Sequence, residues 1–418
     1  MKILWITNTI FPVPSKALGL AAPVVGGWMY GLANQIATTE NIQLAVAATY
    51  TGAELKTFDI DGVIYYLLPG HATTHYLKSH EPLWQQICNE FQPNVIHIHG
   101  TEFAHGLACI RACPSLNYVV SIQGLVSVIA RYYYAWLSFS DLLKSITFRD
   151  IVRFDTLFQA KQKFVKRGLF EQEYIQKTRH VIGRTSWDYA HTKAINSSVN
   201  YHFCNETLRG GFYTSLKWDI THKTDFTIFL SQASYPIKGL HQVLKSVALL
   251  KNEFPTIKVK IAGASIINST SLMDKIKLGG YGAYIKRLIK QLKLHEQVQF
   301  TGTLTESQMI SEYLNAHLFI CPSSIENSPN SLGEAQLLGV PVVAAYVGGT
   351  PDMITHNKTG LLYRFEEVEM LAEHIRNLFT NTTLALDLSE NGIHAAQERH
   401  HQTNNLQQMI NVYNSITE

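Results

Sequence analysis

Short, continuously apolar runs recur along the chain, separated by stretches in which apolar residues fall three and four positions apart. In the first half the runs are KILWI at 2–6, IQLAVAA at 42–48, NVIHIHG at 94–100 and NYVVSIQ at 117–123; in the second they are DFTIFLSQ at 225–232, KVKIAG at 258–263, QVQFTGTL at 297–304 and HLFICPS at 317–323. Buried strands alternating with amphipathic helices are the pattern of a parallel sheet covered by helices on both faces. Such sheets bind ligands at the carboxyl ends of their strands. The polar stretch from Lys217 to Asp225 reads as a linker, which places one domain at 1–216 and a second at 226–395, with a helical tail beginning near Asn391.

The densest chemistry lies between Ile325 and Met353, IENSPNSLGEAQLLGVPVVAAYVGGTPDM. Asn327, Ser328, Pro329 and Asn330 form turns, and Ser331 followed by Glu334 has the spacing of a capping box, predicting a helix from about Leu332. Gly339 with Pro341 beyond it should stop that helix, and the apolar run from Val340 to Ala345 should be a strand ended by Gly348 and Gly349. A helix N-terminus presents unpaired N–H groups and about half a positive charge, so the N–H groups of Asn330, Ser331 and Leu332 suit a diphosphate. Lys238 stands directly before Gly239 and a helical run, where its ammonium can reach the same kind of anion. Glu326 and Glu334, eight positions apart, also admit a plainer reading, as a solvated loop charge and a capping group.

The first half has fewer signals. Gly26 and Gly27 precede a helical pattern, where a glycine pair either lets backbone approach a phosphate or simply makes a turn. Asp59-Ile60-Asp61-Gly62 has the look of a metal-binding Asp-x-Asp, but Asp-Gly before the run VIYYLL is a hairpin signal and the acids should face water. His97 and His99 share one face of a strand, with His99 at its carboxyl end. From Leu125 to Phe170, tyrosines and a tryptophan mix with apolar residues at helical spacing and with the cations Lys144, Arg149, Arg153, Lys161, Lys163, Lys166 and Arg167. That composition suits either an anionic membrane surface or a pair of packed helices with a solvated basic face.

A Glu, seven residues, a second Glu, a short helix, then Gly-Val-Pro-Val-Val-Ala and Gly-Gly resembles the C-terminal signature of the retaining GT-B glycosyltransferases of family 4. With IHIHG, SIQG, VIGRTSWD and HFCNETLRGGFY, the chain is most similar to the bacterial surface-polysaccharide branch of that family. The resemblance implies an α/β fold of two Rossmann-like, doubly wound domains facing across a cleft, with a tail helix at 396–418 packed back on the first domain. It further implies transfer of a sugar from a nucleotide sugar, UDP-linked, to a growing and lipid-linked glycan. By the same resemblance Glu326 and His99 lie by the donor sugar, Lys238 on the diphosphate, Glu334 on the ribose, and a glycine loop at Gly26 and Gly27. Neither metal nor cofactor is implied. The family has an arginine five positions before the lysine, where this chain has Ala233. That departure keeps a non-catalytic nucleotide-sugar-binding subunit in play, and the shared architecture keeps a sugar-nucleotide epimerase.

Composition narrows the setting. With 46% hydrophobic and 16% charged residues the chain is globular, and a net charge of +3 gives no argument for nucleic acid. Five scattered cysteines read as reduced thiols. The first apolar run is too short for a signal-peptide core, and the long uncharged stretch 112–130 is broken by polar residues. The expectation is a cytoplasmic protein, with the inner face of a membrane as a peripheral site.

Overall fold

A computed structural model describes residues 1–20, 27–70, 75–268 and 277–417. The chain divides into two compact units: Met1–Val128 with Lys163–Arg209 and His400–Glu418, and Ile129–Gln162 with Gly210–Arg399. This differs from the boundary at 216 read from the sequence, because residues 129–162 leave the first unit and belong to the second.

The first unit is built on an eight-stranded sheet. Its strands are β1 (Lys2–Ile6), β2 (Gln43–Tyr50), β3 (Lys56–Ile60), β4 (Val63–Pro69), β5 (Val95–His99), β6 (Tyr118–Ser121), β7 (His180–Gly183) and β8 (Asn200–Phe203). They lie in the order β3-β4-β2-β1-β5-β6-β7-β8. All pairings are parallel except the β3–β4 hairpin at the edge. That hairpin turns at Asp61 and Gly62, with φ of 53° and 77°, the left-handed pair of a tight hairpin turn. Asp59 and Asp61 are exposed there, so the Asp-x-Asp is turn chemistry.

β1 is central and continuously apolar because helices cover both its faces. The helix Gln402–Thr417 supplies part of that cover, packing Met409, Val412, Tyr413 and Ile416 against Trp5, Ile3 and Leu44. The Tyr413 hydroxyl lies 3.0 Å from the Trp5 indole nitrogen, which donates to it, and 2.6 Å from Nδ1 of His97. Nε2 of His97 is 2.6 Å from Ser121 Oγ, so both ring nitrogens are satisfied in the core.

The second unit holds six parallel strands: β9 (Thr227–Leu230), β10 (Lys258–Ile261), β11 (Val298–Phe300), β12 (Leu318–Cys321), β13 (Val342–Ala345) and β14 (Leu361–Tyr363). Their order is β11-β10-β9-β12-β13-β14. The chain proceeds outward from β9 to β11 on one side, then returns to place β12 on β9's other flank. β9 and β12 therefore bound the topological switch point, where loops leave in opposite directions and open a crevice.

Residues 129–162 are tied into this unit by backbone and side chains. Nε2 of buried His241 lies 2.9 Å from the Ala135 carbonyl, and Nδ1 lies 3.1 Å from the Tyr281 hydroxyl. Arg287 donates to the Lys144 carbonyl at 3.1 Å, and Ser324 Oγ to the Tyr132 carbonyl at 3.3 Å. Gly279 and Gly280 make room for the contact, since a Cβ on Gly280 would stand 2.9 Å from both Asp150 and the Ser145 carbonyl.

Burial pushes eight histidines down, among them His97 and His241 to about 3 and His105 and His317 to about 4. Each unfolded histidine titrates near 6.5, so between that value and the folded one the unfolded chain binds more protons and folding is weakened by acid. Glu171, raised by burial to about 7, and Glu102, also raised by burial, oppose this but are outnumbered by the histidines. Stability should be full above pH 6.5 and fall as the pH drops toward 5, by up to about 1.4 kcal/mol per pH unit for each histidine. Chemical denaturation at pH 7.5, 6.5 and 5.5 checks this, and an unchanged or rising midpoint toward acid would refute it.

Candidate active site

The loops at the switch point carry the predicted chemistry. After β9, a 3₁₀ turn at Pro236–Lys238 leads into Gly239, which has φ of 68° and starts the helix Leu240–Leu250. After β12, the loop from Pro322 to Pro329 leads into the helix Asn330–Leu338. The two loops interlock. Ser324 N donates to the Ile237 carbonyl at 2.7 Å, and a Cβ on Gly239 would lie 1.7 Å from the Pro322 oxygen. Only glycine fits that approach.

This interlock brings Lys238 and Glu326 together. Lys238 Nζ lies 2.5 Å from Glu326 Oε1, and Ser323 Oγ donates to the same oxygen at 2.7 Å. The two charged side chains are 18% and 16% exposed, so the pair is sheltered but open to a ligand. Burial disfavours the Lys238 ammonium, but the Glu326 carboxylate beside it outweighs that cost and holds the lysine pKa above its usual value. Lys238 is thus a fixed cation over the working pH range. The Tyr235 ring lies 5.9 Å from its ammonium, within reach of a cation–π contact.

The Gly-Gly turn after β13 sets the backbone of Glu326. Gly349 N donates to the Glu326 carbonyl at 3.0 Å, and a Cβ on Gly348, whose φ is 52°, would stand 1.9 Å from that oxygen. Thr350 locks the turn by donating its hydroxyl to the Ala345 carbonyl at 2.6 Å.

The helix between the two glutamates starts earlier than the capping-box spacing predicts. Its N-cap is Pro329, in extended conformation and with no side-chain cap. The reason is positional: Pro329 fixes the entry, which puts Ser331 inside the first turn, where its hydroxyl cannot serve as an N-cap acceptor. Asn330, Ser331 and Leu332 form that first turn, and Glu334 lies in the next, 5% exposed. The helix ends at Gly339, with φ of 82°, as its left-handed C-cap. Arg399 braces the intervening loop, donating to Ser328 Oγ and to the Asp352 carbonyl, each at 3.3 Å.

His99 belongs to the first unit, at the carboxyl end of β5, 1% exposed and with its ring centroid 3.8 Å from that of His97 and 4.1 Å from that of Trp5. Burial holds its imidazole neutral. Gly27 is the first residue of the helix Gly27–Ala37, while Gly26 lies outside the described residues. Ala233 is 3% exposed and packs in the core of the second unit. No group of three or more histidines, cysteines or acids able to hold a metal occurs among the described residues.

Ser323, Tyr235 and Arg399 join the site without having been singled out in the sequence. Tyr235 could have been found from its place in Tyr-Pro-Ile-Lys-Gly, whereas Arg399 has no local signal. Tyr235 also lines a cavity of about 470 Å³ in the second unit, with Tyr133, Arg149, Asp155, Ser265 and Tyr281. Mixed aromatic and charged walls of that size fit a sugar-sized polar ligand.

Comparison with known proteins bears on the family and the fold. Residues 214–395 match the family model "Glycosyl transferases group 1". Among curated proteins, the 2-deoxystreptamine N-acetyl-D-glucosaminyltransferase of Niallia circulans is 35% identical over 101 residues, 24% of this chain, and the chain spans only 26% of that relative's length. Among solved structures, sucrose-phosphate synthase from Thermosynechococcus elongatus superposes with a TM-score of 0.72 at 15% identity, covering 100% of this chain and 99% of the other. Anabaena HepE, solved in complex with UDP-glucose, gives 0.63 at 15% identity, covering 99% and 100%. The fold is therefore that of the GT-B glycosyltransferases, two Rossmann-like parallel-sheet units.

Proposed function

We propose, on the premise that residues 214–395 form a glycosyl transferases group 1 domain, that this chain transfers a sugar from a nucleotide sugar to a growing glycan. The observation that carries the proposal is the Lys238–Glu326 pair, held by interlocked loops at the switch point beside a helix whose first turn has no side-chain cap. A departing nucleoside diphosphate develops negative charge, and a fixed cation with aligned N–H groups stabilises it without reorganisation. Lys238 and the N–H groups of Asn330 and Ser331 take that role; the Leu332 N–H, expected to join them, is already donated to the Pro329 carbonyl at 3.0 Å. Glu326, its backbone set by the Gly-Gly turn, orients the donor sugar, and Glu334 holds the ribose. The acceptor attacks on the face from which the diphosphate leaves, and the leaving phosphate oxygen takes the acceptor proton, so configuration is retained and the protein's part is positioning.

The donor we propose is UDP-linked, by likeness of fold to HepE, which was solved with UDP-glucose. The acceptor we propose is a lipid-linked intermediate of a bacterial surface polysaccharide, used in the cytoplasm at the inner face of the membrane. Thermal unfolding with UDP-, GDP- and ADP-glucose tests the donor, because a ligand at 100 times its Kd stabilises by about 2.7 kcal/mol. No stabilisation by any of the three would refute the proposal. Conversion of the sugar nucleotide without acceptor would favour an epimerase, and binding without transfer a non-catalytic subunit.

Transfer should also survive excess EDTA. Lys238 and the helix N-terminus supply the charge stabilisation that a divalent metal gives elsewhere, and Asp59 and Asp61 are spent on a hairpin turn. Full inhibition reversed by manganese would contradict the metal-independent scheme.

A further inference from the structure

Residues 139–154 of the second unit are built inside out. Two short helices, Phe139–Lys144 and Phe148–Arg153, turn polar residues inward: Ser145 and Asp150 are each 1% exposed. Asp150 accepts from Thr147 N at 3.1 Å and from Arg149 at 3.2 Å, and Ser145 Oγ donates to the Asp141 carbonyl at 2.5 Å. The large apolar side chains point outward instead, with Phe139 67%, Phe148 69%, Ile151 61%, Val152 60% and Phe154 71% exposed. Among the described residues, nine of the nineteen exposed large apolar side chains fall between Tyr132 and Phe154, so these form a crest and not the ordinary scatter of a soluble surface.

The charges on the crest decide what covers it. From Arg131 to Phe154 the exposed charged residues are Arg131, Lys144 and Arg153, all cations. Arg149 is not among them, being 24% exposed and paired with Asp150 and Asp155. Apolar residues interspersed with exposed cations, with the one partly exposed acid of the crest, Asp141, facing Arg287 at 3.7 Å, match the boundary of a bilayer with anionic headgroups, where rings enter the acyl region and cations meet phosphate. No helix among the described residues is long and apolar enough to cross a membrane, so the contact is interfacial.

We propose that the crest Phe139–Phe154 docks this protein on an anionic lipid surface. The tyrosines and basic residues of the wider 125–170 stretch are not all part of it: Tyr133 is buried, and the Lys161 ammonium lies 4.5 Å from the Tyr134 ring. Docking does not depend on the glycosyltransferase reading, and its test needs no sugar nucleotide.

The test is sedimentation of the full chain with vesicles of phosphatidylcholine alone and of phosphatidylcholine with phosphatidylglycerol. Wild type should pellet with the anionic vesicles at low salt and progressively less as salt screens the cations. Phe148→Ser with Phe154→Ser, both at exposed positions, should weaken vesicle affinity by at least about tenfold. Lys144→Glu with Arg153→Glu should weaken it at low salt and make little difference at high salt. Circular dichroism shows that the variants are folded. The proposal is overturned if wild type stays in the supernatant with anionic vesicles, if neutral vesicles bind equally well, or if the Phe variants bind as wild type. It is also overturned if wild type ignores vesicles but forms a dimer that the Phe variants lose, because the crest would then be a protein interface.

Discussion

Replacing Lys238 by alanine, or Glu326 by glutamine, is expected to lower sugar transfer by about a hundredfold or more while leaving the protein folded. The basis is the geometry at the switch point. The Lys238 ammonium is the charge that the β9 loop presents, held 2.5 Å from a carboxylate whose other recorded partner, the Ser323 hydroxyl, is 2.7 Å away. Removing one preorganised charge-stabilising group from an active site commonly costs two to three orders of magnitude in rate, about 3–4 kcal/mol. Glu326→Gln keeps shape and hydrogen-bonding capacity but removes the negative charge, so it separates orientation of the sugar from neutral packing. Initial rates with a nucleotide sugar and acceptor, beside thermal unfolding of each variant, form the check. Activity within about threefold of wild type for both variants would show that the pair is only structural.

Gly239→Ala should have a comparably large effect by a different route. The position combines φ of 68° with a Cβ site 1.7 Å from the Pro322 oxygen. The left-handed conformation alone costs an L-residue about 1–2 kcal/mol, and the collision must force the β9 and β12 loops apart. Lys238 sits next to this glycine and Glu326 four residues beyond Pro322, so the separation falls on the pair itself. A displacement of about 1 Å at a reacting centre can cost about a hundredfold. Gly62→Ala serves as the control, because Gly62 has φ of 77° but nothing within 4 Å of its Cβ position. Gly239→Ala should lose transfer by about a hundredfold and lower Tm by more than the control does, whereas Gly62→Ala should keep its activity. Equal behaviour of the two would mean that backbone strain, not the interlock, is all that the glycine relieves.

The sequence by itself determined the features that depend on near neighbours. Continuous apolar runs marked β1, β9, β12 and β13, because a strand buried on both faces needs apolar residues at every position. Gly339 as a helix stop, Gly348 and Gly349 as a turn, and Asp61-Gly62 as a hairpin were legible because positive φ is nearly a property of the residue itself. Lys238 before its glycine and the spacing of Glu326 and Glu334 could be read as candidates for the same reason. The contact between Lys238 and Glu326 could not, since 88 residues separate them and only the strand order β10-β9-β12 makes their loops neighbours.

Tertiary structure alone decided three further points. It set the helix start at Pro329 and overrode the capping box, because the fixed entry of the loop moved Ser331 past the capping position. It moved residues 129–162 from the first unit to the second, where His241, Gly279 and Gly280 receive them, partners more than a hundred residues away that no local pattern announces. It also separated the cations of that segment into those that face water and those that, like Arg149, are held by buried or half-buried acids. Helical spacing shows that a face exists. Which way the face points depends on what the rest of the chain offers to cover it.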